Sequence, residues 1–211
     1  MLSLKPMPRQ VQAEAFDVLA RVLEEDVNLA IWQRRLPEDI QVFVHTLLAK
    51  NTPLAEALSV DISAEKDTTP LDIAAEYAAL PGYAAFISDV GLLVDAFAYL
   101  VGAERVGVRL RVLESAMCPR FHVDRVPLRL VTTYQGPGCE WLKEGVLHRT
   151  LLNSLAAEQV ADTAIQHMHA GDVALLKGER WEGNELTPIV HRSPTLTTGQ
   201  RRLILTLDWL S

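Results

Sequence analysis

The segment GAERVGVRLRV, residues 102–112, marks the point at which the hydrophobic pattern of the chain changes from helical to extended. Ahead of it, apolar residues recur at helical spacing, most clearly over residues 83–101, as on the buried face of a helix. Within it, valine and leucine alternate with arginine and glycine, which is the period of a strand with one buried face. The sequence therefore predicts a helical part before Gly102 and a β-rich part after it.

The first hundred residues are predicted to be mainly helical. Helices are expected over residues 11–23, over residues 40–48 after the acidic start Pro37-Glu38-Asp39, and over residues 83–101. The segment Thr69-Pro70-Leu71-Asp72 combines an N-cap residue, a first-turn proline and an acidic residue, which is typical of a helix start. Gly102 is a suitable helix stop.

The second half of the chain is predicted to be a set of short strands separated by turns, among which Gly136-Pro137-Gly138 is the clearest. Such a series is typical of a closed or sandwiched antiparallel sheet. We therefore predict an α+β protein in which a helical N-terminal part, residues 1–102, packs on a C-terminal double-stranded β-helix (a cupin-like jelly roll), residues 103–211, with one shared core. The strands are expected at residues 106–112, 128–134, 172–177, 188–191 and 203–209.

Composition narrows the classes of function. The 211 residues are 49% hydrophobic and carry a net charge of −7, so a folded core is expected and binding of nucleic acid through bulk charge is disfavoured. No apolar stretch approaches the roughly 18 uninterrupted residues of a membrane span, and the start of the chain lacks a signal-peptide core. Two cysteines make no disulfide framework. The expectation is a cytoplasmic protein without nucleic-acid or membrane partners, with a homodimer left open.

The candidate chemistry begins at Cys118-Pro119-Arg120-Phe121-His122-Val123-Asp124. On an extended chain, His122 and Asp124 point the same way, and an imidazole with a carboxylate supplies two ligands of a 2-His-1-carboxylate metal site. A third ligand must come from elsewhere. His191 lies 69 residues after His122, and Arg201 follows ten residues later at the start of the last strand.

From about Cys118 to Trp209, the order of these residues resembles the iron(II)/2-oxoglutarate dioxygenases, a superfamily with a double-stranded β-helix fold. The resemblance implies that His122, Asp124 and His191 hold Fe(II), and that Arg201 pairs with the far carboxylate of 2-oxoglutarate. Arg202 competes with Arg201, but alternation places Arg201 on the face of the final strand's leucines. Tyr134, beside the glycine-rich turn, is expected to line the co-substrate pocket, and the substrate stays unknown.

A second resemblance covers most of the chain. Cys-Pro-Arg-Phe-His-Val-Asp at residues 118–124, Thr-Tyr-Gln-Gly-Pro-Gly at 133–138 and His-Arg-Ser-Pro at 191–194 resemble a bacterial family described only as a domain of unknown function and associated with zinc-responsive gene neighbourhoods. This resemblance implies a connection with metal and no particular reaction.

Two other functions are open at this point. Cys118 lies four residues before His122, and a thiolate favours zinc over iron. The main alternative to an oxygenase is therefore a non-catalytic zinc protein of metal homeostasis. Its ligands would be Cys118, His122 and His191, with or without Asp124. A cupin-like protein that binds a small acid is the third reading. Metal content and coordination geometry distinguish the first two.

Overall fold

The structure is a computed structural model that describes residues 7–62, 72–152 and 154–210. Within these ranges the chain is a mixed α+β protein with a seven-stranded and a three-stranded sheet. Its α-helices are α1 (Glu38–Ala49), α2 (Tyr83–Val101) and the single turn α3 (Leu155–Glu158), and its longest 3-10 helix is Phe16–Leu23. Shorter 3-10 turns lie at Ala75–Tyr77, Arg149–Leu151 and Asp162–Ala164.

The large sheet has the strand order β1-β2-β8-β5-β10-β4-β3, and the small sheet has the order β7-β6-β9. Adjacent strands run antiparallel, except β1 and β2, which are parallel. The strands are β1 (Arg9–Ala13), β2 (Val27–Trp32), β3 (Ala55–Asp61), β4 (Arg105–Leu113), β5 (Leu128–Gln135), β6 (Glu140–Leu142), β7 (Ile165–His167), β8 (Val173–Lys177), β9 (His191–Arg192) and β10 (Arg202–Leu210).

The two long helices lie where the sequence predicts them. The first turn of α1 contains Glu38 and Asp39, which suit the positive end of its dipole. Helix α2 buries Phe86, Val90 and the following apolar residues of one stripe, and it ends at Gly102 in the left-handed conformation (φ 64°). The predicted helix start at residues 69–71 lies outside the described residues.

The mainly helical N-terminal part is a prediction that the structure corrects. Three strands of the large sheet, β1 to β3, come from this part of the chain. Strand β1, residues 9–13, overlaps the start of the helix expected over residues 11–23 and pairs with β2 as an edge strand. Within the expected helix only Phe16–Leu23 is helical, as a 3-10 helix. Strand β2 is buried almost throughout, so its sequence is continuously apolar and lacks the alternation that identifies a half-buried strand.

Both faces of the large sheet are covered. On one face, α1 and α2 pack against a core to which β10 contributes Leu203, Leu205 and Leu207. On the other face, Ile204 of the same strand packs with Trp141 of the small sheet in a second core. Alternate residues of each central strand therefore face either the helices or the space between the two sheets.

Helix α2 is long and apolar enough, with a mean hydropathy of 1.8 over its richest window, to cross a membrane by length and composition alone. Its residues Phe86, Val90 and Phe97 are fully buried in the main core. A core helix of a folded protein passes the same test, so this finding alone is weak evidence for a membrane span.

Candidate metal centre

The two histidines predicted as ligands lie directly opposite each other. His122 forms an isolated antiparallel bridge with His191 of β9, with N···O distances of 2.9 and 3.0 Å. Residues opposite each other in such a pair share a face, and the two ring centroids are 4.5 Å apart. The backbone pairing therefore sets both imidazoles side by side at one edge of the small sheet.

Asp124 completes the cluster. Its carboxylate lies 3.8 Å from Nε2 of His122 and 3.5 Å from Nε2 of His191. One ligand atom from each of the three residues lies within 4.8 Å of the others. Metal–ligand bonds are about 2.0–2.2 Å long, so one ion fits between these atoms. The structure brings together the triad that the sequence predicts.

The hydrogen bonds of the histidines direct Nε2 towards the metal position. Nδ1 of His122 is 2.9 Å from the carbonyl oxygen of Arg120, and Nδ1 of His191 is 3.3 Å from that of Ile189. A carbonyl only accepts, so Nδ1 carries the proton and Nε2 keeps a free lone pair. Burial lowers the pKa of His191 to about 4, which keeps this ring in the neutral form that binds metal.

Asp124 has one satisfied and one unsatisfied oxygen. Oδ1 lies 2.9 Å from Nη1 of Arg129, whereas Oδ2 is buried and has no hydrogen-bond partner in the described part of the chain. A buried acceptor without a partner is costly. A cation between Oδ2 and the two Nε2 atoms removes that cost, so this donor set fits a divalent metal.

The structure gives no support to a thiolate ligand. The cluster of potential ligands among the described residues consists of His122, Asp124 and His191, and Cys118 is not a member. Cys118 is exposed, and it contributes its carbonyl oxygen to a hydrogen bond from the backbone N of Ser193. Two nitrogens and one carboxylate oxygen form the set typical of non-haem Fe(II) sites with open positions.

The structure does not bring Arg201 to the metal ligands. Its side chain packs on the helix-covered face, where it donates to the carbonyl oxygens of Leu48 (2.6 Å) and Thr52 (2.9 Å) and pairs with Glu114 (3.1 Å). Alternation correctly places Arg201 on the face of Leu203, but that face lies beneath the helices. Arg201 therefore joins the end of α1 to the start of β10, away from the metal ligands.

Tyr134 also lies on the helix side. Its hydroxyl donates to Oδ2 of Asp89 at 2.7 Å, and its ring packs edge-on against Phe86 at 4.9 Å. Arg34 binds the same carboxylate, with Nη2 2.9 Å from Oδ2. Burial, helped by Asp89, raises the pKa of Tyr134 well above its usual value. This residue is part of a buried network that holds α2 on the sheet, and the structure does not bring it to the metal.

Arg202 faces the space between the sheets instead. It is 1% exposed, and its guanidinium donates to Oγ1 of Thr133 (2.9 Å from Nη2) and lies 3.2 Å from Sγ of Cys139. Among the described residues no carboxylate pairs with it. A fully buried guanidinium without a counter-ion is costly, so this position is suited to an anion.

The glycine turn after β5 makes room for this arginine. Gly136 has a φ of 94°, and a Cβ on it would lie 3.1 Å from Cβ of Arg202 and 2.9 Å from the carbonyl oxygen of Arg201. A side chain here would be strained by the backbone conformation and would displace both arginines. The turn signal at residues 136–138 is thus part of what seats Arg202.

The family follows from the sequence as a whole. Residues 13–208 match the family described as a protein of unknown function, DUF1826. The chain belongs to the DUF1826 family. No curated protein matches it.

Solved structures show what fold this DUF1826 protein shares. It is similar to the dioxygenase for auxin oxidation from rice, at 14% identity and a TM-score of 0.51, over 98% of this chain and 83% of that one. It is also similar to a protein from Shewanella oneidensis provisionally assigned as an oxygenase, at 10% identity and a TM-score of 0.50, over 97% and 90% of the two chains.

A 2OG-Fe(II) oxygenase family protein from Burkholderia pseudomallei aligns at 11% identity and a TM-score of 0.43, over 95% and 94% of the two chains. At such low identities the similarity to the rice and Shewanella proteins shows the fold alone. The predicted resemblance to dioxygenases is confirmed at the level of the fold.

Sequence reasoning missed Arg129 of this DUF1826 protein and preferred Arg201 to Arg202. Arg202 was the competing choice at the start of the last strand, and only the burial of both sheet faces decides between it and its neighbour. Arg129 carries a weaker signal, an arginine inside the apolar run at residues 128–134. A charged residue within a buried strand indicates a paired or functional position.

Proposed function

We propose that this protein is an Fe(II)- and 2-oxoglutarate-dependent oxygenase of the double-stranded β-helix type. The observation that carries the proposal is the joint occurrence, between the two sheets, of a His122-Asp124-His191 ligand set and a fully buried arginine, Arg202, that has no carboxylate partner in the described part of the chain. The first feature suits a non-haem iron and the second suits an acid bound beside it.

At the metal end, Nε2 of His122, Nε2 of His191 and Oδ2 of Asp124 would hold the ion. Fe(II) bound with 2-oxoglutarate would activate dioxygen. Three protein ligands leave coordination positions open for both molecules. Arg129 holds Asp124 through Oδ1, and the backbone carbonyls of Arg120 and Ile189 fix both imidazoles. These contacts keep the ligand atoms oriented before the metal arrives.

At the other end, Arg202 would bind the far carboxylate of 2-oxoglutarate. His191 pairs with Trp141 on β6, and Cys139, which contacts Arg202, precedes Trp141 by two residues. Two residues of an extended chain span about 6.6 Å, so the guanidinium would lie about the length of a short dicarboxylate from the ligand set. Thr133 fixes the guanidinium, and the apolar side chains of Ile204 and Val131 in the same core limit the access of water.

The zinc alternative has less support. A structural zinc site is closed by four protein ligands, and the described residues offer three here, without Cys118. The unpaired Arg202 also has no role in a site that only stores or senses a metal. The cytoplasmic location and the absence of nucleic-acid and membrane partners stay predictions from the sequence.

A matched pair of arginine variants tests the proposal. We expect Arg202→Gln to weaken 2-oxoglutarate binding to Mn(II)-loaded protein by roughly 2–5 kcal/mol, the cost of leaving a buried charge without its partner, with Mn(II) affinity unchanged. Arg201→Gln, one residue away on the other face, serves as the control and should bind 2-oxoglutarate normally. Calorimetry measures both, and thermal melting confirms that each variant is folded.

The opposite pattern contradicts the assignment. If Arg201→Gln loses 2-oxoglutarate binding and Arg202→Gln binds it normally, the co-substrate site lies on the helix-covered face, at Arg201. No binding of 2-oxoglutarate to the unaltered, metal-loaded protein would overturn the oxygenase proposal.

A further inference from the structure

A recess lies near the metal ligands, on the face of the large sheet that carries Ile204. It has a volume of about 210 Å³ and is lined by Arg109, Arg111, Met117, Arg129, Ile204 and Thr206. Arg129 forms one wall and also contacts Asp124, so the recess begins one side chain away from a metal ligand. The other two arginines of the recess, Arg109 and Arg111, have no role in the proposed metal and co-substrate site.

Strand pairing explains why the arginines gather there. Arg109 and Arg111 of β4 lie opposite Thr206 and Ile204 of β10. Opposite residues share a face, and Ile204 belongs to the core between the two sheets. The alternating segment at residues 105–112 thus presents its valines and leucine to the helices and its arginines to the side of the sheet on which the metal ligands lie.

The charges in the recess do not balance. Asp208 is buried and is shared, since Arg109 pairs with Oδ2 and Arg129 donates to Oδ1 at 2.7 Å. Asp124 is committed to the metal position. Arg111 has no acidic partner among the described residues, and its Nη1 lies 3.5 Å from Sδ of Met117. The recess therefore holds a surplus of positive charge in a chain of net charge −7.

From this arrangement, and on the basis of the proposed function, we infer that the substrate carries an oxyanion, a carboxylate or a phosphate, which Arg111 binds with the help of Arg109. Guanidinium groups match such oxygens in a bidentate geometry. Arg111 is half-buried, in contrast to the fully buried Arg202, so an oxyanion can reach its guanidinium from solvent.

Arg202 and Arg111 would thus bind two different molecules, the co-substrate and the substrate. Arg202 lies next to Cys139, between the sheets, and Arg111 lies opposite Ile204 on the neighbouring strand. The acid of the co-substrate and the anionic group of the substrate would bind on neighbouring strands, β10 and β4, of one sheet face. The substrate class that follows is an acidic small molecule or an acidic group on a larger one.

Paramagnetic relaxation by Mn(II) in the predicted metal site is the test. In the presence of saturating 2-oxoglutarate, inorganic phosphate is followed by ³¹P and acetate by ¹³C relaxation, as probes for the two oxyanion sources. We expect saturable enhancement for at least one probe, and an affinity that falls roughly tenfold or more in Arg111→Gln, the scale of a lost charge-assisted interaction. Arg109→Gln should show a fall in the same direction.

Arg105→Gln is the matched control, since Arg105 lies on the same strand and pairs with exposed Asp61 outside the recess. It should leave the relaxation unchanged. Enhancement of ³¹P alone indicates a phosphorylated substrate, and of ¹³C alone a carboxylate. Enhancement that is absent, or equal in wild type and Arg111→Gln, overturns the inference.

The measurement separates this inference from the proposed function. If 2-oxoglutarate binds but neither probe depends on Arg111, the oxygenase proposal stands and the anion subsite is wrong. If 2-oxoglutarate binding itself requires Arg111 and not Arg202, the recess is the co-substrate site and the inference is overturned. Repeating the titration without 2-oxoglutarate shows whether the recess binds anions even if the oxygenase proposal fails.

Discussion

Arg129 pairs with Asp124 through one carboxylate oxygen only. Nη1 lies 2.9 Å from Oδ1, and the other oxygen, Oδ2, is buried and receives no hydrogen bond from the residues that the structure describes. The same guanidinium donates from Nε to Asp208 at 2.7 Å, which fixes its orientation. The arginine therefore holds the carboxylate in place while presenting a free oxygen to the position between the two imidazoles.

This relationship predicts that Arg129→Gln lowers metal affinity although Arg129 is no ligand. Loss of an outer-shell partner costs roughly 10–100-fold in metal affinity, because Asp124 is then free to rotate. Calorimetric titration with Mn(II) measures the change. Arg125→Gln is the control, since that side chain is largely exposed and pairs with Glu179 at 3.6 Å. Equal affinities in the two variants would show that Arg129 does not position the ligand.

The buried network of Arg34, Asp89 and Tyr134 predicts an effect on stability alone. Tyr134→Phe removes one hydrogen bond to the Asp89 carboxylate, which still pairs with Arg34, so the free energy of unfolding should fall by about 1.5–3 kcal/mol, the scale of a hydrogen bond to a charged group. Affinity for 2-oxoglutarate should not change, because the hydroxyl points to the helix side. Urea unfolding and calorimetry are the measurements. Weakened 2-oxoglutarate binding in a stably folded variant would restore the co-substrate role first expected for Tyr134.

Asp89→Asn should be more harmful than the tyrosine variant. Arg34 is almost fully buried and pairs with both oxygens of Asp89, so the substitution leaves a buried cation without its counter-charge, at a cost of roughly 3–5 kcal/mol. Urea unfolding of this variant beside Tyr134→Phe gives the comparison. A loss no larger than that of Tyr134→Phe would show that the ion pair contributes little.

Lys177 predicts a rise of stability with pH. Burial lowers its pKa from 10.5 to about 8, against the opposing effect of Asp26, Glu25 and Glu24. Between these two values the unfolded chain binds more protons than the folded one, so the free energy of unfolding increases as pH rises from about 8 towards 10.5. Below pH 8 the folded protein bears the full cost of the buried ammonium.

Lys177→Met isolates this contribution. Other lysines and tyrosines titrate in both proteins, so the difference between the two unfolding curves measured at several pH values reports Lys177. We expect the variant to lose the rise between pH 8 and 10.5. Parallel pH dependences for the two proteins would mean that the ammonium is well solvated in the fold.

Several features could be read from the sequence because they depend on local pattern. Helix α2 has an apolar stripe and a glycine stop, and β4 alternates apolar residues with arginine and glycine. The histidine-x-aspartate spacing is local too, and the bridge to His191 adds the third ligand from 69 residues away. For these elements, local preference and tertiary structure agree.

The positions of Arg201, Arg202 and Tyr134 depend on which face of the large sheet the helices cover and which face the small sheet covers. Alternation fixes that Arg201 and Arg202 point to opposite faces, but both faces of the large sheet are buried, one by helices and one by the small sheet. Periodicity cannot tell these two environments apart, so the sequence alone could not show that Arg201 and Tyr134 lie on the helix side. Strand β2 was missed for the same reason, because burial on both faces removes its alternation.

The central claim is that one site binds Fe(II) and 2-oxoglutarate together, and the most direct measurement is an anaerobic absorption titration of the Fe(II)-loaded protein with 2-oxoglutarate. The account predicts a metal-to-ligand charge-transfer band that saturates at one 2-oxoglutarate per chain, is lost in His191→Ala and requires far more 2-oxoglutarate in Arg202→Gln. A protein that binds Fe(II) and shows no band at any 2-oxoglutarate concentration would contradict it.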